Sequence, residues 1–355
     1  MSAPAPAAHT VRGPLHLGVS LALGILAVLA AVLAASGFDV VPALTAMARG
    51  AVGSSYAIFS ATLVRATPLI LTGLAVALAF KGGILNIGAE GQLLAGAAMA
   101  TMVTLGLGNS LGVGAIVLAL IAAALGGASW AAIPAWLRRR YGVLEVISTI
   151  MMNFIALYGV GYLVRGPLQE PTHVYPQSAT IPATTHLPIL VPGTRLHVGF
   201  LLAVVAILTA RYVIRARAAG FRLSVVGANP FAAATAAGIN VPVLSMRVFL
   251  LSGALAGLAG GVELTGVTYA LYENISPGYG YTAIAVALLA GLHPGVVLLT
   301  GIFFGALEAG AAAMQREAGV PLALVSVVEA LIILAIVGGR ALHERRAYES
   351  RAVGT

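Results

Sequence analysis

Apolar runs long enough to cross a bilayer recur along this chain. The first occupies residues 15–36, and about 20 apolar residues suffice for one helical span. Of 355 residues, 60% are hydrophobic and 8% are charged, against about 25% charged in a soluble domain. So few charges cannot clothe a globule in solvated side chains. The composition therefore dictates an all-α fold, a polytopic transmembrane helical bundle, and excludes a soluble enzyme, a disordered chain and a nucleic-acid module. The formal net charge of +8 and the absence of Cys need separate readings. Without Cys there is no disulfide, thiolate nucleophile, Cys-ligated zinc or iron–sulfur cluster.

Arg supplies every basic residue except Lys81. The arginines cluster at Arg138–Arg140, at Arg211, Arg215, Arg217 and Arg222, and at Arg340, Arg345, Arg346 and Arg351. Short basic runs flanking apolar stretches mark the cytoplasmic side. The spans are expected at 15–36, up to about Phe80, then 84–107, 111–136, 144–164, 198–214, 248–270, 281–292, 295–314 and 320–337. The first is read as a retained helix with Arg12 inside, and residues 39–50 as an outside loop or short interfacial helix. The eighth is short and flanked by Gly, hence half-length or re-entrant. About ten spans put both termini and every multi-Arg cluster in the cytoplasm. The whole chain then forms one transmembrane domain, with cytoplasmic tails at 1–14 and 339–355, a Pro-rich outer loop at 165–197 and a cytoplasmic segment at 215–247. Two halves of five spans would run in opposite senses, an inverted repeat.

Chemistry is sparse. A Walker A loop requires a Lys that reaches phosphates, and the only Lys, Lys81, stands between Phe80 and Gly82. There is no H-E-x-x-H motif. Gly253, Gly257 and Gly261, and likewise Gly301 and Gly305, are spaced by four, which lets helix backbones approach closely. Glu90, Glu263, Glu308 and Glu329 fall inside apolar spans, where a charge costs roughly 3 kcal/mol on insertion scales. They read either as a proton or ion relay or as buried structural groups beside a polar pathway. No Lys, Arg or His is paired with them at matching depth.

Two interruptions stand out. Residues 80–92 read FKGGILNIGAEGQ, and residues 273–281 read ENISPGYGY. Broken helices are tolerated in a membrane where they are buried in protein or line a cavity, and paired breaks in two halves point to a pathway. Asn86, Glu90, Gln92, Asn153, Glu263 and Tyr279 are the candidate pathway residues. A plain inter-helix turn is the competing reading for each. On the basic side, residues 227–239 read GANPFAAATAAGI. Asn229 is placed to cap a helix beginning at Pro230, and Gly238 to end it. Such a short helix exposes Phe231 and offers small residues, among them Ala233, to a partner's groove.

These stretches, with EVISTIMMN at 145–153, resemble the membrane permease subunits of ATP-binding-cassette importers. The resemblance is to the ribose-permease-like branch, and within it to the nucleoside (guanosine and uridine) permeases. It covers about 68–339, and its most specific element is NIGAEGQ at 86–92. It implies a type II importer permease fold, with Asn229, Pro230, Phe231, Ala233 and Gly238 in a coupling helix that meets the ATPase. It further implies a separate ATPase subunit that uses the ATP, with no cofactor or metal on this chain. An extracytoplasmic solute-binding protein or lipoprotein would deliver the solute. A second permease subunit, homologous or identical, would complete the pore within membrane lipid. Tyr158, Tyr162, Tyr269, Tyr272 and Tyr279 are the aromatic side chains open to a nucleoside. A pentose or other simple sugar is the second solute class. An ion-coupled secondary transporter and an intramembrane enzyme are the rival functions.

Overall fold

The computed structural model describes residue 24, residues 27–235 and 238–321, and residues 323, 324, 326, 327 and 330. The helices, in chain order, are α1 (Val40–Val52), α2 (Leu63–Lys81), α3 (Ala89–Leu111), α4 (Val113–Tyr141), α5 (Glu145–Arg165), α6 (Gly199–Ala216), α7 (Ala218–Ala228), α8 (Pro230–Thr235), α9 (Val241–Glu263), α10 (Tyr279–Leu289) and α11 (Pro294–Ala318). A π-helical turn, Ala57–Thr62, leads into α2, and another, Leu264–Thr268, prolongs α9.

Seven of these stretches are long and apolar enough to cross a membrane: Ala57–Lys81, α3, α4, α5, α6, Val241–Thr268 and α11. The chain is a multi-pass helical membrane protein. The seven correspond to expected spans two to seven and nine. The eighth is the 11-residue α10, which crosses only part of a bilayer at 1.5 Å per residue. The first expected span is described at residue 24 and from residue 27 on, and Leu29 and Leu33 are fully buried. Most of the tenth, Glu329, Arg12 and both expected tails lie outside the described residues.

Three boundaries differ from expectation. The third span begins at Ala89 rather than residue 84, because the break before it also takes in residues 84–88. The three arginines Arg138–Arg140 form the last turn of α4 instead of following it, and Gly142 at φ +67° ends that helix. The expected cytoplasmic segment 215–247 ends later than the structure allows. It holds α7 and α8, and its last residues already belong to α9. There Asn240 Oδ1 accepts the Val243 N–H at 3.2 Å and Pro242 occupies the first turn, a start signal that outweighs the charge of Arg247.

Helix α2 is buried on nearly every side, as expected of a helix apolar all round. Its Thr67 and Thr72 hydroxyls donate to the Leu63 and Pro68 carbonyls at 2.8 and 2.6 Å, so neither polar group is left unpaired. The four-residue glycine spacing sits at helix crossings. Gly253 and Gly257 of α9 lie against Gly127 of α4, and Gly260 against the Leu93 carbonyl of α3. Gly301 and Gly305 of α11 lie against Ile70 and Ala66 of α2. Residues 39–50, expected as a loop or interfacial helix, contribute to α1, which packs on α11 through Gly50 and Ala313.

Candidate functional site: two helix breaks and a displayed helix

The first break begins where α2 stops. Gly83 takes φ +74°, its N–H donates to the Phe80 carbonyl at 3.0 Å, and the Ile84 N–H donates to that of Ala79 at 2.9 Å. This is a Schellman termination, which only a residue tolerant of left-handed φ completes cheaply. The chain then passes through Asn86. Asn86 and Gln92 exchange two amide hydrogen bonds, both 3.0 Å. Asn86 Nδ2 also donates to Ser252 Oγ of α9 at 2.9 Å, and the Ser252 hydroxyl donates to the Ala75 carbonyl of α2 at 2.8 Å. Asn86 Oδ1 accepts the Gly88 N–H at 2.9 Å. From α5, Asn153 Oδ1 accepts the Gly91 N–H at 2.8 Å, and its amide donates to the Ile87 carbonyl at 2.9 Å. Asn86, Gln92, Asn153 and Ser252 are all buried. Their amides and hydroxyl replace the backbone pairing that the break removes.

The second break, between α9 and α10, runs into the first. Gly278 at φ +102° turns the chain, and Ser276 Oγ accepts the Gly278 and Tyr279 N–H groups at 3.2 and 3.0 Å. The next N–H, of Gly280, donates to Glu90 Oε2 at 2.7 Å, and the Ser276 hydroxyl lies within hydrogen-bonding reach of the same carboxyl. Gly280 packs directly on the Glu90 backbone, so a Cβ there has no room. Glu90 thus stands in the first turn of α3 and at the start of α10. Two helix N-termini, each carrying positive partial charge, converge on it.

Of the six candidate pathway residues, the structure brings Asn86, Glu90, Gln92, Asn153 and Tyr279 to this junction. Glu263 belongs to a second group at the end of α9. Arg65 and Arg195 lie within electrostatic range of it. Buried Tyr279 links the groups, for Glu263, Glu308, Arg65 and Tyr272 all stand within electrostatic range of it. Ser252 and Ser60 were not among the candidates. In sequence each is one serine in an apolar run, and its partner is more than a hundred residues away.

The 165–197 loop closes this end. Ser178, Ile181 and Leu187 N–H groups donate to the Leu271, Tyr269 and Thr265 carbonyls at 2.8, 2.9 and 2.8 Å. The Arg195 N–H donates to Ser60 Oγ at 3.0 Å, and its guanidinium to the Val267 carbonyl at 3.4 Å. One arginine therefore ties together both π-helical turns. His197 is buried; its Nδ1 accepts the Gly199 N–H at 3.2 Å. Burial and the neighbouring Arg195 push its pKa down to about 4.

At the opposite, basic end, Asn229 Oδ1 accepts the Ala232 N–H at 2.9 Å and caps α8, with Pro230 as first residue. Gly238 takes φ +61°, and the Ile239 N–H donates to the Ala233 carbonyl at 3.1 Å. Ala233 is fully buried while Phe231 is 76% exposed. Cap, proline and glycine occupy the positions their types favour. The result is a six-residue helix anchored by small residues and displaying one large aromatic ring.

A bundle of apolar helices with two breaks meeting inside it, closed by a loop at one end and displaying a capped helix at the other, defines a membrane permease. The chain belongs to the family described as branched-chain amino acid transport system / permease component, whose model matches residues 58–337. It is 41% identical over 285 residues to a glucose ABC transporter permease protein of Haloferax volcanii, covering 78% of this chain and 74% of that one. It is 38% identical over 332 residues to a guanosine ABC transporter permease protein of Bacillus subtilis, covering 92% and 93%. A nucleoside ABC transporter permease protein of Lactococcus lactis is 33% identical over 295 residues, covering 81% and 80%. No solved structure matches the chain.

Proposed function

We propose that this chain is one membrane subunit of an ATP-binding-cassette importer that carries nucleosides. A separate ATPase docks on α8 and hydrolyses the ATP. A solute-binding protein or lipoprotein delivers the solute to the end closed by the 165–197 loop. A second permease subunit, identical or homologous, completes the pore. The basic end and both termini face the cytoplasm, following the positive-inside rule.

The observation that carries this reading is α8, an apolar helix capped at both ends with its aromatic residue unburied. Such a helix serves a partner's groove better than it serves its own core. A nucleoside fits the near full-length match to a guanosine permease and two exposed tyrosines, Tyr158 and Tyr162, one turn apart on α5. Their faces suit a nucleobase. Asn86, Gln92 and Asn153 have their amides engaged within the protein, so they frame the pathway and Glu90 locks the two breaks. Solute contacts then fall to the exposed α5 face and to Tyr281 beside Asn153. A sugar is the second reading, favoured by the 41% identity to a glucose permease. Competition settles the choice in vesicles that hold the chain with its ATPase and binding protein. Guanosine and uridine should displace labelled guanosine, and glucose should not. Displacement by glucose alone overturns the nucleoside assignment.

A further inference from the structure

The displayed helix connects to the first break through α7, where Gly227 makes a backbone-on-backbone contact. α7 and α8 form one unit, because the Asn229 N–H donates to the Val225 carbonyl at 3.0 Å as the Asn229 side chain opens α8. The inner face of α7 presents Leu223, Val226 and Gly227. Gly227 lies directly on the Lys81 carbonyl, the last of α2, so that a Cβ would overlap it. The same Cβ would lie 3.4 Å from the Gly83 nitrogen. Leu223 covers Gly82, whose own Cβ would come 2.7 Å from Leu223 Cδ1. Beyond these glycines the backbone enters the Asn86–Gln92–Ser252 network and then reaches Glu90, bonded to the start of α10.

We infer that Gly227 is the positioning residue through which motion of the coupling helix is delivered to the break at 82–88, and from there to the α3–α10 junction. The inference rests on the coupling role proposed for α8 and adds the route by which it acts. Packed backbones without side chains between them leave no compliant layer, so a displacement of α7 has to be shared by Lys81–Gly83 or the contact must open. A side chain at 227 lifts α7 off the break. The ATPase would still bind α8, but its stroke would no longer reach the helix break.

The chain contains no Cys, so a single L85C substitution reports on the break, where Leu85 is exposed. The complex, purified with its ATPase, is labelled with a maleimide with and without ATP. ATP should change the L85C labelling rate. In L85C/G227A and L85C/G227V the ATPase should remain bound and hydrolyse ATP, while the ATP-dependent change shrinks by about tenfold. An undiminished change in G227A, or loss of the ATPase from the complex, overturns the inference. Should neither Gly227 variant reach the membrane, L85C/L223A carries the test, because it removes the side chain that holds α7 on Gly82, beside the Gly227 contact. A diminished change supports the route and an undiminished one overturns it. Failure of the unsubstituted chain to retain any ATPase would instead defeat the coupling role of α8.

Discussion

Glu90 stands where two helices begin. Its carboxyl meets the first turn of α3 and accepts the Gly280 N–H that opens α10. Glu90→Ala should cost roughly 2 kcal/mol by stranding that N–H and removing the group both helix ends face. Glu90→Gln keeps an acceptor and should cost less. Thermal unfolding of the detergent-purified protein measures both; equal, negligible losses would contradict the junction. His197 gives a pH dependence. Its pKa of about 4 lies below the ordinary value for histidine, about 6.5, so between these the unfolded chain binds more protons than the folded one. Stability is then complete above pH 6.5, declines as the pH falls towards 4 and levels off below. The cause is burial of the ring beside Arg195, and a protonated Nδ1 would also lose the Gly199 N–H it accepts. His197→Gln should flatten the melting temperature across that window, and an unchanged slope would contradict the assignment.

At the scale of elements, α8 depends on its caps. Asn229→Ala removes a capping bond worth about 1 kcal/mol, a large share for a helix of six residues. We expect solute uptake to fall by about tenfold with the protein still in the membrane, measured as uptake against membrane abundance. Both ends of this helix were legible in the sequence, because Asn-Pro and a terminal Gly act locally. The breaks were legible for the same reason: glycines and amides interrupt apolar runs at 82–92 and 274–280. The start of α9 was legible too, in Asn240 and Pro242, but the charge of Arg247 outweighed it in a reading by hydropathy. The π-helical turns at Ala57–Thr62 and Leu264–Thr268 left no local sign. They depend on distant tethers, Ser60 to Arg195 and Thr265 to Leu187. Nor does composition reveal that Ser252 closes the network of Asn86, since the pairing spans 166 positions.

For the whole molecule, composition alone dictated a helical membrane protein, and the structure adds how its two breaks meet and how α7 touches the first of them. The two ends differ: arginines gather with α7 and the end of α4, while the 165–197 loop ties the π-helical turns at the other. Single cysteines placed in the Cys-free chain test the orientation. In intact cells, a cysteine at the exposed Val174 should react with a membrane-impermeant maleimide, and one at the exposed Phe231 should not; the reverse pattern would invert the assignment. The importer reading itself rests on one measurement. Labelled guanosine uptake is followed in cells lacking other nucleoside uptake, with the chain expressed alone, with its ATPase and companion permease, and with a catalytically dead ATPase. The account predicts uptake only with the live ATPase. Uptake by the chain alone that collapses with the proton gradient would contradict it.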